Sequence, residues 1–412
     1  MSLDRFADKI REYLSPATTF SLRYYRSQLK SLESRLRGQK QPAKKRSFAD
    51  NHRPRVAVFD DLIPRPDRDA GSARMMFILE ALTTWADPVL FTVGRVSWPD
   101  YEELLWRKGI ETLSALDYKQ LQEPNFSCAI LSRPWVASAL HQRIRSANPK
   151  LKLIYDLVDV HHVRLEREAE LTGDPALTQE SKRMRRIEIE NARAVDYLWC
   201  VSRADQKLME REAPGVPSIL VPTIHDLHQR GLPFSQRKHL LFVGQFSHRP
   251  NVDSVHFLAR DVMPLLREQI PEIELLVVGS NAPADFEQYR SVGVRVVGYV
   301  ESLDPLMASC RVSVAPIRFG AGINGKIGEA LSFGLPVVTT ALGAEGWGFE
   351  TGKQVMVADA PEDFANEVLR MYSQETLWQQ LSDAGYLHIK ENNTPEVVGR
   401  IVNDSIANLT RH

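Results

Sequence analysis

The feature that most constrains this chain is a change of period that happens many times over: short β-branched runs alternate with amphipathic helical stretches, in two successive series. The first series holds RVAVFD (55–60), VLFTV (89–93), CAILS (128–132), LKLIYDLVD (151–159), YLWCVS (197–202) and SILVP (218–222). Between these runs, GSARMMFILEALTTWA and SKRMRRIEIENARA have helical length and apolar spacing. The second series holds HLLFVGQF (239–246), IELLVVGS (273–280), VRVVGYV (294–300), VSVAPI (312–317), PVVTT (336–340) and QVMVAD (354–359). Near-continuous apolar strands separated by helices are the mark of parallel sheets covered on both faces, so each half reads as an α/β, doubly wound parallel sheet. The loop from Thr223 to Arg237, flanked by turn prolines, is the expected boundary. Asn251 to Ile270 reads as one helix with Asn251 as its N-cap, and the chain after Pro361 reads helical.

A chain of 412 residues exceeds the size at which one core keeps growing, which agrees with two domains. The expected divisions are 1–52, a basic amphipathic helical appendage and linker; 53–228, the first sheet domain; 229–390, the second; and 391–412, a C-terminal helix crossing back to the first. Within the appendage Leu22, Tyr25, Leu29, Leu32 and Leu36 form one stripe flanked by Arg and Lys. Such a segment can lie on an anionic membrane surface, pair with a second copy through residues 1–50, or pack on the body, and two heptads do not choose among these. Lys+Arg 52 against Asp+Glu 52 provides no overall field, so no nucleic-acid partner is expected. Cys128, Cys200 and Cys310 are far apart, which suits buried reduced thiols. With no apolar run of spanning length and no apolar signal core, the expected location is cytoplasmic, at most peripheral at the inner face of the cell membrane.

The segment richest in chemistry runs from Val312 to Thr340. A strand ends at Ile317, Gly320, Gly322 and Gly325 permit an unusual turn, and a helix is expected to start near Asn324. Free amides at that start, with Lys326 in the first turn, suit a phosphate. Glu329 stands three residues on, so both side chains are expected on nearly one helix face, the carboxylate placed to accept from a ribose diol. Gly320, Gly322 and Gly325 also satisfy G-x-G-x-x-G with Glu345 downstream, which keeps an NAD(P)-dependent oxidoreductase as a rival. That fingerprint joins a domain's first strand to its first helix, however, and here three strands of the same half precede it. Gly320 to Lys326 fits G-x-x-x-x-G-K, but Ile327 stands where a P-loop needs Ser or Thr.

This stretch, with Gly334, Leu335, Pro336, Val337 and Val338 after it, resembles the nucleotide-sugar signature of the retaining glycosyltransferase family four, also called glycosyltransferase group 1. Asp69 to Arg74, His248 to Asn251, Gly320 to Lys326 and Gly343 to Gly346 match the D-x-G-S-x-R, H-x-P-N, G-A-G-x-x-G-K and G-A-E-G pieces of bacterial O-antigen and surface-polysaccharide members. The resemblance covers nearly everything after residue 53. It implies the GT-B architecture, two Rossmann-like domains, and transfer of a sugar with retention from a nucleotide-diphosphate sugar to a growing, lipid-linked bacterial glycan.

It further implies a diphosphate held by Lys326 with help from Gly322 and Gly325, and a ribose held by Glu329; Arg318 reads either as a further phosphate donor or as a solvated loop arginine. Gly244, His248 and Arg249 follow the opening donor-domain strand, and Gly298, Tyr299 and Val300 lie beside the nucleobase. Gly71 and Ser72 are the acceptor-side turn, and a histidine near the acceptor is implied among Asp159, His161 and His162, with Asp159 and His161 taken as candidates. The family's first glutamate, eight positions before Glu329, is replaced by Ala321. No metal or cofactor is expected, and the D-x-D spelled by Asp67, Arg68 and Asp69 reads as a loop motif away from the phosphate site. A nucleotide-binding scaffold without catalysis is the remaining alternative.

Overall fold

The computed structural model describes residues 53–67, 70–94, 98–123, 125–320 and 322–410. The basic appendage, Arg68 and Asp69 of the D-x-D, and Ala321 therefore lie outside the described residues. The chain divides into two compact units: among described residues, the first comprises 53–201, 205–221 and 399–410, and the second 202–204 and 222–398.

Unit 1 is a seven-stranded parallel sheet in the order β3-β2-β1-β4-β5-β6-β7. The strands are β1 Arg55–Asp60, β2 Asp87–Thr92, β3 Glu111–Ser114, β4 Phe126–Ser132, β5 Lys152–Asp156, β6 Tyr197–Cys200 and β7 Ser218–Leu220. In register, Val58 lies between Leu90 and Ile130, and all three are fully buried, as a central parallel strand covered on both faces requires. Crossovers are made by α1 Ala70–Thr83, α2 Pro99–Arg107, α3 Pro134–Ala147, α4 His161–Thr172, α5 Pro175–Arg193 and α6 Arg203–Glu212. The sequence sets their ends. Pro134 and Pro175 open α3 and α5 where no N–H is needed, Asp174 caps α5 by accepting from the Ala176 amide at 2.9 Å, and Gly173 closes α4 in the left-handed conformation.

Unit 2 is a six-stranded parallel sheet in the order β10-β9-β8-β11-β12-β13. Its strands are β8 Lys238–Val243, β9 Leu275–Val278, β10 Val294–Gly298, β11 Cys310–Ala315, β12 Val337–Thr339 and β13 Met356–Val357. The helices are α7 Arg249–Phe257, α8 Met263–Gln269, α9 Asp304–Ser309, α10 Gly325–Ser332, α11 Ala341–Glu345, α12 Pro361–Ser373 and α13 Glu375–Asn392. A last helix, α14 Pro395–Thr410, returns the chain to unit 1, where Trp85 Nε1 donates to Asn403 at 2.6 Å and Trp199 Nε1 donates to the Ser405 hydroxyl at 3.1 Å.

Several sequence expectations meet corrections. Strand β3, ETLS, was not expected: it is an edge strand with every residue half-buried, so it has no apolar run. The single helix from Asn251 to Ile270 is α7 and α8 joined by a π-helical turn at Leu258–Val262, because Pro264 has no N–H for the regular ladder. Its cap is His248, and Asn251 lies inside the first turn with its side chain turned to other partners. The units part between Val221 and Pro222, ahead of the expected 228, since the loop is bound to unit 2: the His225 amide donates to Asn393 at 2.8 Å and the His228 amide to Ser332 at 3.1 Å.

All three cysteines are buried and free, and burial pushes the Cys128 and Cys310 thiols up to about 12. No helix among the described residues is long and apolar enough to cross a membrane.

Candidate functional site

In unit 2, β8 and β11 are neighbours whose outgoing connections run to opposite sides of the sheet, β8 to β9 and β11 to β12. Ligands of doubly wound folds sit at the carboxyl ends of strands at such a switch point. The turn after β11 and the start of α10 form one wall. Gly320 and Gly322 take φ of 144° and 74°, values closed to most side chains, and α10 begins at Gly325 with an Asn324 cap that makes no side-chain bond. That leaves the positive end of α10 without a side-chain oxygen over its first amides.

The turn after β8 forms the other wall, and the backbones here come very close. A Cβ at Gly279 would fall on the carbonyl oxygen of Gly244, and a Cβ at Gly244 would stand 2.9 Å from Asn251 Cγ. Asn251 Nδ2 donates to the Gln245 carbonyl at 2.8 Å, which aims its Oδ1 at the opposite wall. Lys326 Nζ donates to that oxygen at 2.5 Å and lies 4.4 Å from the centre of the Phe242 ring. Both contacts are to neutral groups, and desolvation pushes the Lys326 ammonium down to about 7. A desolvated lysine at a switch point marks a candidate functional site.

Glu329, three residues on, has a different neighbour. Its Oε2 lies 3.4 Å from His225 Nδ1, and its side chain is about one-third exposed at 35%. Arg318 is held in a two-pronged pair with Asp253, Nε to Oδ2 at 2.8 Å, and lies over Phe257, so its guanidinium is already engaged. His248 and Arg249 are exposed at the start of α7, and Gly298, with φ 80°, ends β10. Tyr299 after it is 63% exposed, while Val300 packs on the cluster around Leu276 and Ile327. The G-x-G-x-x-G spacing follows β11, the fourth strand of its unit in chain order, which is not the position of a dinucleotide fingerprint.

Unit 1 has its own switch point, between β1 and β4. Asp60 at the end of β1 accepts from Arg133 Nε at 2.6 Å, just after β4. Arg133 and Val158 both have positive φ, 76° and 64°, so two neighbouring strands end on backbone strain, which gathers at functional sites. His161 Nδ1 lies 3.0 Å from Asp159 Oδ1, and its ring meets Trp135 edge-on at 5.3 Å. Burial disfavours the imidazolium, but the Asp159 carboxylate beside it prevails and raises His161 to about 9. Burial acts on Asp159 too, yet His161 and Arg164 hold its carboxyl well below the usual range. His162 Nδ1 lies 2.6 Å from the fully buried Glu188, whose other oxygen is 3.5 Å from His161 Nδ1. Glu188 also accepts the His161 and His162 amides at 2.8 and 3.1 Å, which caps α4 from a distance. Gly71 and Ser72 lie in the first turn of α1, and two residues on Arg74 is buried on Asp156 at 2.8 Å.

Lys326 and the Gly320–Gly325 turn thus share one crevice with Gly244, while Arg318 is tied to Asp253. Sequence reading missed Glu188, which looks like one more charge in an Arg/Glu-rich helix, and His225, whose loop carries no periodicity. Asn251 stood in the H-x-P-N piece, and its proline-flanked position was the available signal.

Residues 237–374 match the family model described as Glycosyl transferases group 1. Among solved structures, a sucrose-phosphate synthase from Thermosynechococcus elongatus aligns with 87% of this chain and 99% of its own, at 15% identity and a TM-score of 0.65. The Anabaena protein HepE, in complex with UDP and glucose, aligns with 85% of this chain and 99% of its own, at 14% identity and a TM-score of 0.63. The lipopolysaccharide outer core galactosyltransferase WaaB aligns with 86% and 99%, at 13% identity and a TM-score of 0.60. A curated relative from Klebsiella pneumoniae, an uncharacterized 44.6 kDa protein in the cps region, is 22% identical over 162 residues, 37% of this chain and 42% of the relative. The chain therefore matches well under half of that relative's length. Residues 237–374 thus carry the group 1 glycosyltransferase match, and the two doubly wound sheets have the GT-B fold of the solved structures they align with.

Proposed function

We propose that this chain transfers a sugar, with retention, from a nucleotide-diphosphate sugar to a growing bacterial surface glycan carried on a lipid, at the inner face of the cell membrane. The observation that carries the reading is the desolvated Lys326 ammonium, which meets the Asn251 amide oxygen and the Phe242 ring at the switch point of unit 2. In this reading the diphosphate lies against Lys326 and the first turn of α10, Glu329 accepts from the ribose diol, and the base lies along Gly298 to Val300. HepE, solved with UDP and glucose, supports a nucleotide-sugar donor, and the names of WaaB and of the cps-region relative support a polysaccharide acceptor.

In the reaction the bond between the anomeric carbon and the β-phosphate oxygen breaks, and negative charge grows on the departing diphosphate. Lys326 and the α10 amides oppose that charge from fixed positions, which supplies the stabilisation a metal gives elsewhere. The acceptor oxygen bonds to the anomeric carbon on the face the diphosphate leaves, and its proton passes to the departing phosphate oxygen. Asp159 and His161 are assigned to orienting the acceptor hydroxyl.

The test is a panel of UDP-, GDP- and dTDP-sugars in a thermal-shift assay, followed by release of nucleotide with acceptor lipid extract. At 100 times its dissociation constant a true donor adds about 2.7 kcal/mol of stability. One donor class should stabilise the protein and turn over, and Lys326→Ala should lose both responses. Stabilisation by NAD alone, with no response to any nucleotide sugar, overturns the proposal.

A further inference from the structure

His225 lies in the stretch that follows β7, a hundred residues from the glycine-rich turn, and nothing in the established chemistry of a sugar transfer calls for it. Yet the fold holds it in place from three sides. Its amide donates to the Asn393 carbonyl at 2.8 Å, and Asn393 in turn donates through Nδ2 to Thr223 at 2.9 Å, so the backbone is fixed on both sides of the ring. The imidazole is buried, 5.7 Å from the Trp347 ring, and Trp347 is itself anchored by its Nε1 donating to Asn324, the cap of α10, at 3.3 Å. The third side is Gly328. A Cβ there would overlap both His225 Nε2 and the Trp347 ring, so the slot exists only because position 328 is glycine.

The two ring nitrogens have opposite surroundings. Nε2 is buried and has no hydrogen-bond partner among the described residues, whereas Nδ1 lies 3.4 Å from Glu329 Oε2. A proton on Nε2 would be a buried donor facing the Gly328 backbone with nothing to accept it. A proton on Nδ1 makes a bond to a carboxylate, which is the stronger kind. The surroundings therefore select the Nδ1–H tautomer.

We propose that His225 is a positioning residue for Glu329: its Nδ1–H holds one carboxylate oxygen and so turns the other toward the ribose diol of the donor. The proposal rests on the reading of Glu329 as the ribose acceptor. It also explains a glycine one residue before that glutamate, on a buried face of α10 where any side chain would expel the imidazole.

The experiment compares binding of UDP and GDP with binding of their 2′,3′-dideoxy counterparts, in the full chain and in variants. The parent should prefer the better ribonucleotide by about 10-fold, the scale of a lost hydrogen bond to a charged group. His225→Ala should bring that preference to about 2-fold or less, and so should Glu329→Gln, while the double variant should be no worse than Glu329→Gln alone. His225→Asn, whose amide nitrogen stands near the place of Nδ1, should restore most of the preference, and His225→Gln should not. Should His225→Ala not fold, His225→Leu fills the slot without a donor and carries the same comparison. A preference intact in His225→Ala or His225→Leu but lost in Glu329→Gln leaves His225 a packing residue and overturns the proposal. A preference intact in Glu329→Gln removes the ribose reading itself, and the positioning role falls with it.

Discussion

Lys326 Nζ stands 2.5 Å from Asn251 Oδ1, so one hydrogen bond ties the helix after β11 to the helix after β8 across the switch point. Desolvation beside a neutral amide and an aromatic face pushes the half-buried Lys326 ammonium down to about 7. On the proposed reading, a bound diphosphate should reverse that balance by favouring the charged form. Binding then takes up a proton wherever the free lysine is neutral. Above about pH 7.5, where the nucleoside diphosphate itself is fully ionised, affinity should weaken toward about 10-fold per pH unit. Lys326→Met should bind weakly with little pH dependence. Calorimetry in two buffers of different ionisation enthalpy, between pH 7.5 and 9, counts the proton directly.

Arg318 provides the contrasting case. Its guanidinium is held by Asp253 and covers Phe257, which leaves its two-pronged face occupied. Arg318→Ala should change nucleoside diphosphate affinity by less than about 3-fold, while Lys326→Ala should cost roughly 10- to 100-fold, the range for a charged hydrogen bond. Titration of both variants with the same nucleotide checks the order.

His161 should make unit 1 sensitive to alkali. Its folded pKa is about 9, above the ordinary 6.5, because Asp159 holds the imidazolium. The resulting stability is fully present below pH 6.5 and is lost as pH rises through about 9, an effect on the order of 1–3 kcal/mol. The melting temperature should fall between pH 6.5 and 9.5, and His161→Asn should flatten that part of the curve. A parent curve as flat as the variant's would remove the ion pair as a source of stability.

Gly279→Ala tests the close approach of the turns after β8 and β9. Its φ of 139° and the Gly244 carbonyl in the path of a Cβ leave no room without moving backbone. The cost should be about 1–3 kcal/mol, or several degrees in melting temperature, and nucleotide affinity should fall because Gly244 and Asn251 shift together. Gly348→Ala is the control: its φ is 68° but a Cβ there meets nothing within 4 Å, so roughly 1 kcal/mol of strain is all it should show.

What could be read ahead of the structure followed from how each feature is encoded. Strands such as Val56–Phe59 and Leu275–Val278 are apolar on both faces, so their burial is written in consecutive letters. Glu111–Ser114 escaped because an edge strand with half-buried residues has no such run. The glycine-rich turn and Lys326 were legible because they stand within a few residues of one another at the end of an apolar run. The partner of Glu329 was not, since His225 comes from 104 positions away and its slot depends on the absence of a side chain at Gly328. Asn251 shows the intermediate case. Its position near a helix start suggested a cap, but Pro250 and His248 moved the start earlier and freed its amide to bridge Gln245 and Lys326.

The return of α14 to unit 1 has a consequence for how the molecule is made. The sheet of unit 1 waits for a segment more than two hundred residues further along the chain, because Trp85 and Trp199 find their acceptors, Asn403 and Ser405, there. Unit 2 is by contrast one almost continuous stretch, able to acquire its hydrogen bonds while the older half is still incomplete. Unit 1 should therefore complete its hydrogen bonding only when residues 399–410 are present, and removing them should destabilise it.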